Sequence, residues 1–338
     1  MLPIAMVTGA SIYVIYHVMP EPVHRIGPVL NIFVDIMQPL LIFSMLFLTF
    51  IRIEPKDLKP HRWHWWLLLI QGGLFTVLGL LAMWIIGRFP GDCHDKVVLI
   101  ESAMLCLICP TATAAAVVTR KLGGDVPGIT TYIILINLLT ALLVPLIVPL
   151  FHPLGVTDFW TGFSMIMAKV FPLLIAPCLC AWIFRQLAPG AYRYLLRYPD
   201  LAFYLWSVGL TLAIAVTTRA IIHSSMPISL IVWMSLISLM CCVFQFAAGR
   251  YVGSLYKPRT RPSSGDDMAM AAVEQRGRQI RKVTAGQSLG QKNTLFAIWM
   301  SYTFMTPETA IVGGLYSIWH NIFNSWQLYR VGKNDRPR

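Results

Sequence analysis

Apolar residues run through this chain in long blocks, without the strict alternation of a half-buried strand. Ten blocks stand out, at roughly residues 2–20, 28–51, 65–87, 97–120, 127–151, 160–186, 201–222, 227–249, 284–305 and 308–329. Each approaches the ~20 residues that a helix needs to cross a bilayer. The connections are short except 257–282, which is rich in Arg, Ser, Gly and Asp. It reads as a flexible cytoplasmic loop with room for a short amphipathic piece. The first block has no basic leader and no small-residue cleavage site, so it counts as a span. The pattern predicts an all-α integral membrane protein of ten transmembrane helices, with 1–338 forming one domain.

Composition agrees with this reading. Of the 338 residues 57% are hydrophobic and only 12% charged, with mean hydropathy +0.65. Soluble proteins are about 25% charged, so a soluble enzyme or a nucleic-acid binder is not expected. The net charge of +12 finds another explanation in the positive-inside rule. Of the 27 Lys and Arg, 21 fall in segments 52–62, 120–121, 185–197, 250–282 and 330–338, all on one side of a ten-span plan. Arg25, Arg88 and Lys96 fall on the other, and Lys169, Arg219 and Lys292 fall within spans. Both termini are therefore expected in the cytoplasm, in a cytoplasmic (inner) membrane. Trp63, Trp65, Trp66 and Trp160 sit at interface depth. Six of the seven cysteines lie in apolar runs, and Cys93 lies in a hydrophilic loop, so no disulfide framework, metal or cofactor is expected.

Ten spans divide into five and five, roughly 1–155 and 156–330, and an odd number of spans per half makes the second half enter inverted. Transporters built this way place their sites near the midplane, between broken helices. Span four carries Cys109-Pro110-Thr111-Ala112-Thr113-Ala114 at its middle; its counterpart, span nine, carries Gly286-Gln287-Ser288-Leu289-Gly290-Gln291-Lys292-Asn293. Pro110 removes a backbone donor, and Gly286 and Gly290 ease local unwinding. Both spans are expected to break there and cross. Lys292, a mid-span lysine, costs ~2.5–3.5 kcal/mol to insert. It can be a tertiary cation paired to carbonyls or a buried acid. Alternatively it contacts an anionic substrate, carries a proton, or stands as a fixed charge where a metal cation would otherwise sit.

At these residues the sequence resembles the bile acid:sodium symporter family, as a bacterial member. The match runs from Leu41-Ile42-Phe43-Ser44-Met45 and Ile53-Glu54-Pro55-Lys56-Asp57-Leu58, through Gln71 and the Cys109–Ala114 crossover, to Gly124-Asp125-Val126 and Ser317-Ile318-Trp319-His320-Asn321. The resemblance implies a core of spans three, four, five, eight, nine and ten. Spans one, two, six and seven would form a panel, with alternating access by movement of core against panel. It also implies that sodium chemistry has been lost. The positions of the family's first sodium site fall on Ala115, Ala116, Ile129 and Ile133, which carry no side-chain oxygen. At the second site the bridging glutamate is Ser288 and a glutamine ligand is Lys292, leaving Gln71 and Asn293.

The expectation is a secondary transporter of a small organic anion, not driven by sodium, with proton coupling through Lys292 physically open. Expected substrate contacts are Pro110, Thr111, Thr113, Ser288, Lys292 and Asn293, with Lys292, Gln71 and Gln291 at the former cation site. His320 and Asn321 are expected to brace span nine. Asp35, Lys169 and Glu101 are expected to gate or pair, with an Asp35–Lys169 ion pair favoured. Arg219 is expected to snorkel to the outer edge. The rival readings are a sodium-coupled symporter with atypical ligands, an auxin-carrier-like transporter, a non-transporting sensor and an intramembrane enzyme. The last lacks any recognisable catalytic grouping.

Overall fold

The apolar blocks fold as helices because a backbone surrounded by hydrocarbon side chains must satisfy its own N–H and C=O groups. The computed structural model describes residues 2–19, 25–54, 56, 58–89, 91, 93–152, 158–198, 200–256 and 267–334. Their regular elements are all helical: α1 (Leu2–Val18), α2 (Gly27–Phe50), α3 (Arg62–Arg88), α4 (His94–Ile108), α5 (Ala114–Lys121), α6 (Val126–Phe151) and α7 (Phe159–Leu187). There follow α8 (Pro189–Leu196), α9 (Leu201–Ile222), α10 (Ile228–Leu255), α11 (Asp267–Gly290), α12 (Thr294–Phe304), a 3-10 turn (Pro307–Thr309) and α13 (Ala310–Asn334). Among these, α2, α3, α6, α7, α9 and α10 are long and apolar enough to cross a membrane. α1 is apolar but, at 17 residues, shorter. Ile32, Leu69, Trp84 and Val232 stand exposed on these helices. Water would penalise such a surface, and lipid would cover it. The chain thus has the build of a multi-pass membrane protein.

α1 lies on α9, α2 on α7 and α9, and α7 on α6; α3 packs on α4 and α6, and α10 on α4, α11 and α13. The largest apolar core runs between them, from Ile42 and Met45 through Phe75, Ile108 and Val144 to Phe296 and Met300. α10 and α11 approach closely over small residues. A methyl at Gly249 would run into the Ala285 carbonyl, and one at Gly290 into the Phe246 ring. Small residues that let backbones meet are the usual glue of membrane helices.

Two expectations need correction. The 257–282 segment is not loop throughout: 267–282 belong to α11, continuous with the first half of span nine. Its Ala, Met, Glu, Gln and Arg are good helix formers, and no Pro interrupts them. Residues 257–266 lie outside the described residues. Gly286 does not unwind its helix, since α11 continues to Gly290 and breaks only at 291–293. Gly286 instead makes room for the Arg250 side chain. The short helix α8 was not anticipated, because eight residues with a solvated face fall below any spanning pattern.

Candidate functional site at a crossing of two broken helices

Pro110 sets the first break. A residue before proline is pushed out of helical backbone geometry, and Cys109 accordingly has φ −50° and ψ 133°, ending α4 at Ile108. The chain stays non-helical to Thr113 and re-enters a helix, α5, at Ala114. The second break, 291–293, ends at Asn293, whose Oδ1 accepts the Phe296 N–H at 3.2 Å and caps α12.

The two breaks meet. Asn293 N–H donates to Pro110 O at 2.8 Å, and Ala112 N–H donates to Gln291 O at 3.4 Å. This is the bonding pattern of one antiparallel bridge, with Thr111 and Lys292 directly opposite. Side chains extend it: Thr111 Oγ1 donates to Ser288 O at 2.6 Å, and Lys292 Nζ donates to Leu107 O at 3.0 Å. Lys292 is 2% exposed.

A helix leaves its last four carbonyls without internal partners, and an orphaned buried one costs ~1–3 kcal/mol. At α4 each is engaged. Leu105 O takes the Cys109 N–H at 3.2 Å. Cys106 O takes Gln245 Nε2 at 3.0 Å, and Leu107 O takes Lys292. Ile108 O takes Gln71 Nε2 at 3.2 Å and Thr140 Oγ1 at 3.0 Å. Gln71 Nε2 also reaches Cys109 O at 3.1 Å, while its Oε1 accepts from Tyr132 Oη at 3.0 Å. The ammonium thus rests on the negative end of the α4 dipole, where a cation is favoured. The carbonyls nearest the crossing already hold N–H and O–H donors.

On the opposite side, Tyr316 Oη donates to Gly290 O at 2.8 Å and accepts from Gln245 Nε2 at 3.1 Å. Gln287 Nε2 donates to Gln327 Oε1 at 3.1 Å, and Gln291 Nε2 donates to Gln287 Oε1 and, at 3.5 Å, to Asn324 Oδ1. Gln291 therefore turns toward α13, away from Gln71 and Lys292. Ser288 contributes its backbone carbonyl, and its buried Oγ has no partner among the described residues. Thr113 precedes α5 without a side-chain cap.

The expected bracing of span nine by His320 and Asn321 does not occur through hydrogen bonds. Both His320 ring nitrogens are buried without a partner among the described residues, and its ring meets Tyr316 edge-on. Asn321 Nδ2 turns back to Ser317 O at 2.8 Å within its own helix. Tyr316, Asn324 and Gln327, on the same helix, do the bracing instead. Nor does the structure bring Asp35 and Lys169 together. Lys169 Nζ lies 5.6 Å from the Phe304 ring centre, a cation–π contact between α7 and α12. Asp35 is an exposed residue of α2, lining a cavity with Gln38, Arg219 and Glu308. Arg219 Nη1 donates to Asn31 Oδ1. Glu101 is buried, accepts the Thr306 N–H at 3.0 Å and lies 3.5 Å from His152 Nδ1. Its hydrogen bond ties α4 to the turn before α13, and its other oxygen faces the end of α6.

Sequence reasoning missed Gln245, Thr140, Tyr132 and Tyr316. A signal for the first two was present, since a polar side chain in mid-span rarely goes unpartnered. Of the four positions where the sequence resemblance places a first sodium site, Ala115, Ile129 and Ile133 are fully buried and Ala116 is half-buried. Ile133 packs into the main apolar core with Ala114. No model of a protein family matches the chain, and no curated protein matches it either.

Proposed function

We propose that this chain is a secondary transporter that moves a small organic anion across the cytoplasmic membrane by alternating access, without sodium as its driving ion. The observation that carries the reading is the crossing of two broken helices, bridged at Thr111 and Lys292, in the middle of an apolar helical bundle. Irregular backbone at that depth is tolerated only where protein or a wet cavity covers it, and such crossings are where transporters bind their cargo.

A plan of two inverted five-span repeats is supported by recurring side-chain pairs. Gln71 with Tyr132 joins spans three and five; Gln245 with Tyr316 joins spans eight and ten. Pro110, Thr111, Thr113, Ser288, Lys292 and Asn293 are all buried. An anion therefore reaches them only when core and panel part. The case for an anion rests on the positive ends of the half-helices and on the charge of Lys292.

Sodium independence is supported by apolar side chains at one former site and by the ammonium at the other. A hard cation needs several oxygens, and here the nearest carbonyls accept from Lys292, Gln71 and Thr140. Lys292 acts in this reading as a built-in cation that holds α4 at the crossing.

The test is uptake into proteoliposomes of organic acids selected by thermal-shift screening, with sodium replaced by choline or potassium. Saturable uptake that persists without sodium is expected. Loss of uptake on sodium removal overturns sodium independence. Binding without flux for every ligand overturns transport in favour of a sensor.

A further inference from the structure

Away from the crossing, a cavity of about 830 Å³ opens where the segment before α3 meets α11 and the end of α10. Lys59, His61, Arg62 and Arg281 line it, with Asp125 as its one acidic wall. Three permanent cations line it against one carboxylate, while Glu274, two turns before Arg281 on α11, acts on that guanidinium from outside the lining. Among the described residues no ion pair engages Lys59, Arg62 or Arg281. Arg281 Nε is buried and has no hydrogen-bond partner among the described residues. Its place is fixed by packing, since Gly253 on α10 sits directly against the Arg281 carbonyl.

The depth of this cavity suggests what fills it. Trp65 and Trp66 are exposed on the first turn of α3, beside the lining residues Arg62 and Trp63. Tryptophans of this kind mark the headgroup level of a bilayer. The residues lie on the face that the positive-inside count assigns to the cytoplasm. A guanidinium with an unused, water-shielded N–H pairs best with a phosphate oxygen. Basic pockets between helices on this face are suited to acidic lipid headgroups.

We infer that this cavity binds the phosphodiester headgroup of an acidic phospholipid, seated on Arg281 with Lys59 and Arg62 at its rim. Because Arg281 belongs to α11, whose far end forms the crossing at Gly290, a bound headgroup anchors that half-helix at the membrane surface. The inference rests on the membrane-spanning reading and is independent of what is transported.

The test uses the full-length protein in neutral detergent, analysed by native mass spectrometry with added phosphatidylglycerol, phosphatidylcholine or inorganic phosphate. A discrete phosphatidylglycerol adduct is expected, with little phosphatidylcholine bound. Its occupancy should fall about fivefold in Arg281→Gln and in Lys59→Gln, by the usual strength of one basic side chain for an acidic membrane. Arg193→Gln, which alters an exposed cation on α8, should leave it unchanged. Equal loss in all three variants, or equal binding of phosphatidylcholine, overturns the site. Displacement of the lipid by inorganic phosphate at matched concentration assigns it to a soluble anion and overturns the lipid reading. If Arg281→Gln fails to fold, the exposed Lys59 carries the test.

Discussion

Thr111 and Lys292 stand opposite one another at the crossing, and each caps the helix that leads into the other. Thr111, which follows α4, donates to Ser288 O near the end of α11; Lys292, which follows α11, donates to Leu107 O near the end of α4. The bridge N–H groups of Asn293 and Ala112 flank them. One cap is a hydroxyl and the other an amine. That asymmetry sets the Lys292 nitrogen at the meeting point of a five-residue break and a three-residue one.

The charge and the hydrogen bond of Lys292 can be separated by substitution. Lys292→Ala removes both and leaves Leu107 O buried without a partner. A loss of ~1–3 kcal/mol in stability is expected, read as a lower unfolding temperature in detergent. Lys292→Gln keeps a donor but not the charge, so stability should recover in part while uptake stays at least ~10-fold below wild type. Full uptake by Lys292→Gln would show that only the hydrogen bond matters.

Thr111→Val keeps the shape of the side chain and removes the donor to Ser288 O, at an expected cost of ~1 kcal/mol. Because Thr111 and Lys292 share one bridge, the double variant with Lys292→Ala should not be additive. A coupling of ~0.5–3 kcal/mol is expected, measured as a double-mutant cycle of unfolding free energies. Strict additivity would mean that the two caps act independently.

The meeting of the breaks was legible because its causes are local. Pro110 must end a helix wherever it sits, and a lysine in mid-span must find a partner. What could not be read was which partner. Lys292 takes the carbonyl of Leu107, 185 residues away, and only the fold brings them together. A motif points to His320 and Asn321 but does not say which side chains form the bonds. Tyr316 and Asn324, one turn to either side of His320 on the same helix face, reach Gly290 O and Gln291. Asp35 and Lys169 were paired on charge alone, although Lys169 had the Phe304 ring within reach. The helical part of 257–282 was obscured because its charges, read as loop, are compatible with a helix emerging into water.

Glycines in the spans differ by what surrounds them, and this is open to test. Gly249→Ala places a methyl against the Ala285 carbonyl, where α10 and α11 meet. A backbone carbonyl in a packed helix has little room to yield, so a destabilisation of ~1–3 kcal/mol is expected. Gly73, inside α3, has open space where the methyl of an alanine would stand, with nothing within 4 Å. There the change to Ala should add ~0.5–1 kcal/mol by reducing backbone freedom. Thermal unfolding of the two variants side by side checks the contrast, and equal shifts would refute the packing argument.

Just after α2, Glu54 lies between Lys56 and Arg185, whose Nη2 donates to Glu54 Oε1 at 2.6 Å. Lys56, foremost, and Arg185 hold its carboxyl below the ordinary glutamate range. A carboxyl whose pKa is lower in the folded state than in the unfolded one stabilises the fold above the unfolded value of about 4.3. That contribution disappears as pH falls through the folded value. The pair is partly exposed, so the effect is small and salt-sensitive. It nonetheless has a direction. Because Arg185 lies in the last turn of α7, the contact fastens the segment after α2 to that helix. Glu54→Gln should lower the unfolding temperature slightly at pH 7, leave it unchanged well below pH 4, and flatten the curve between. Unfolding temperatures of both proteins measured from neutral pH down through this range, at low and high salt, check the prediction. An unaltered pH profile in Glu54→Gln would remove this contact from any account of stability.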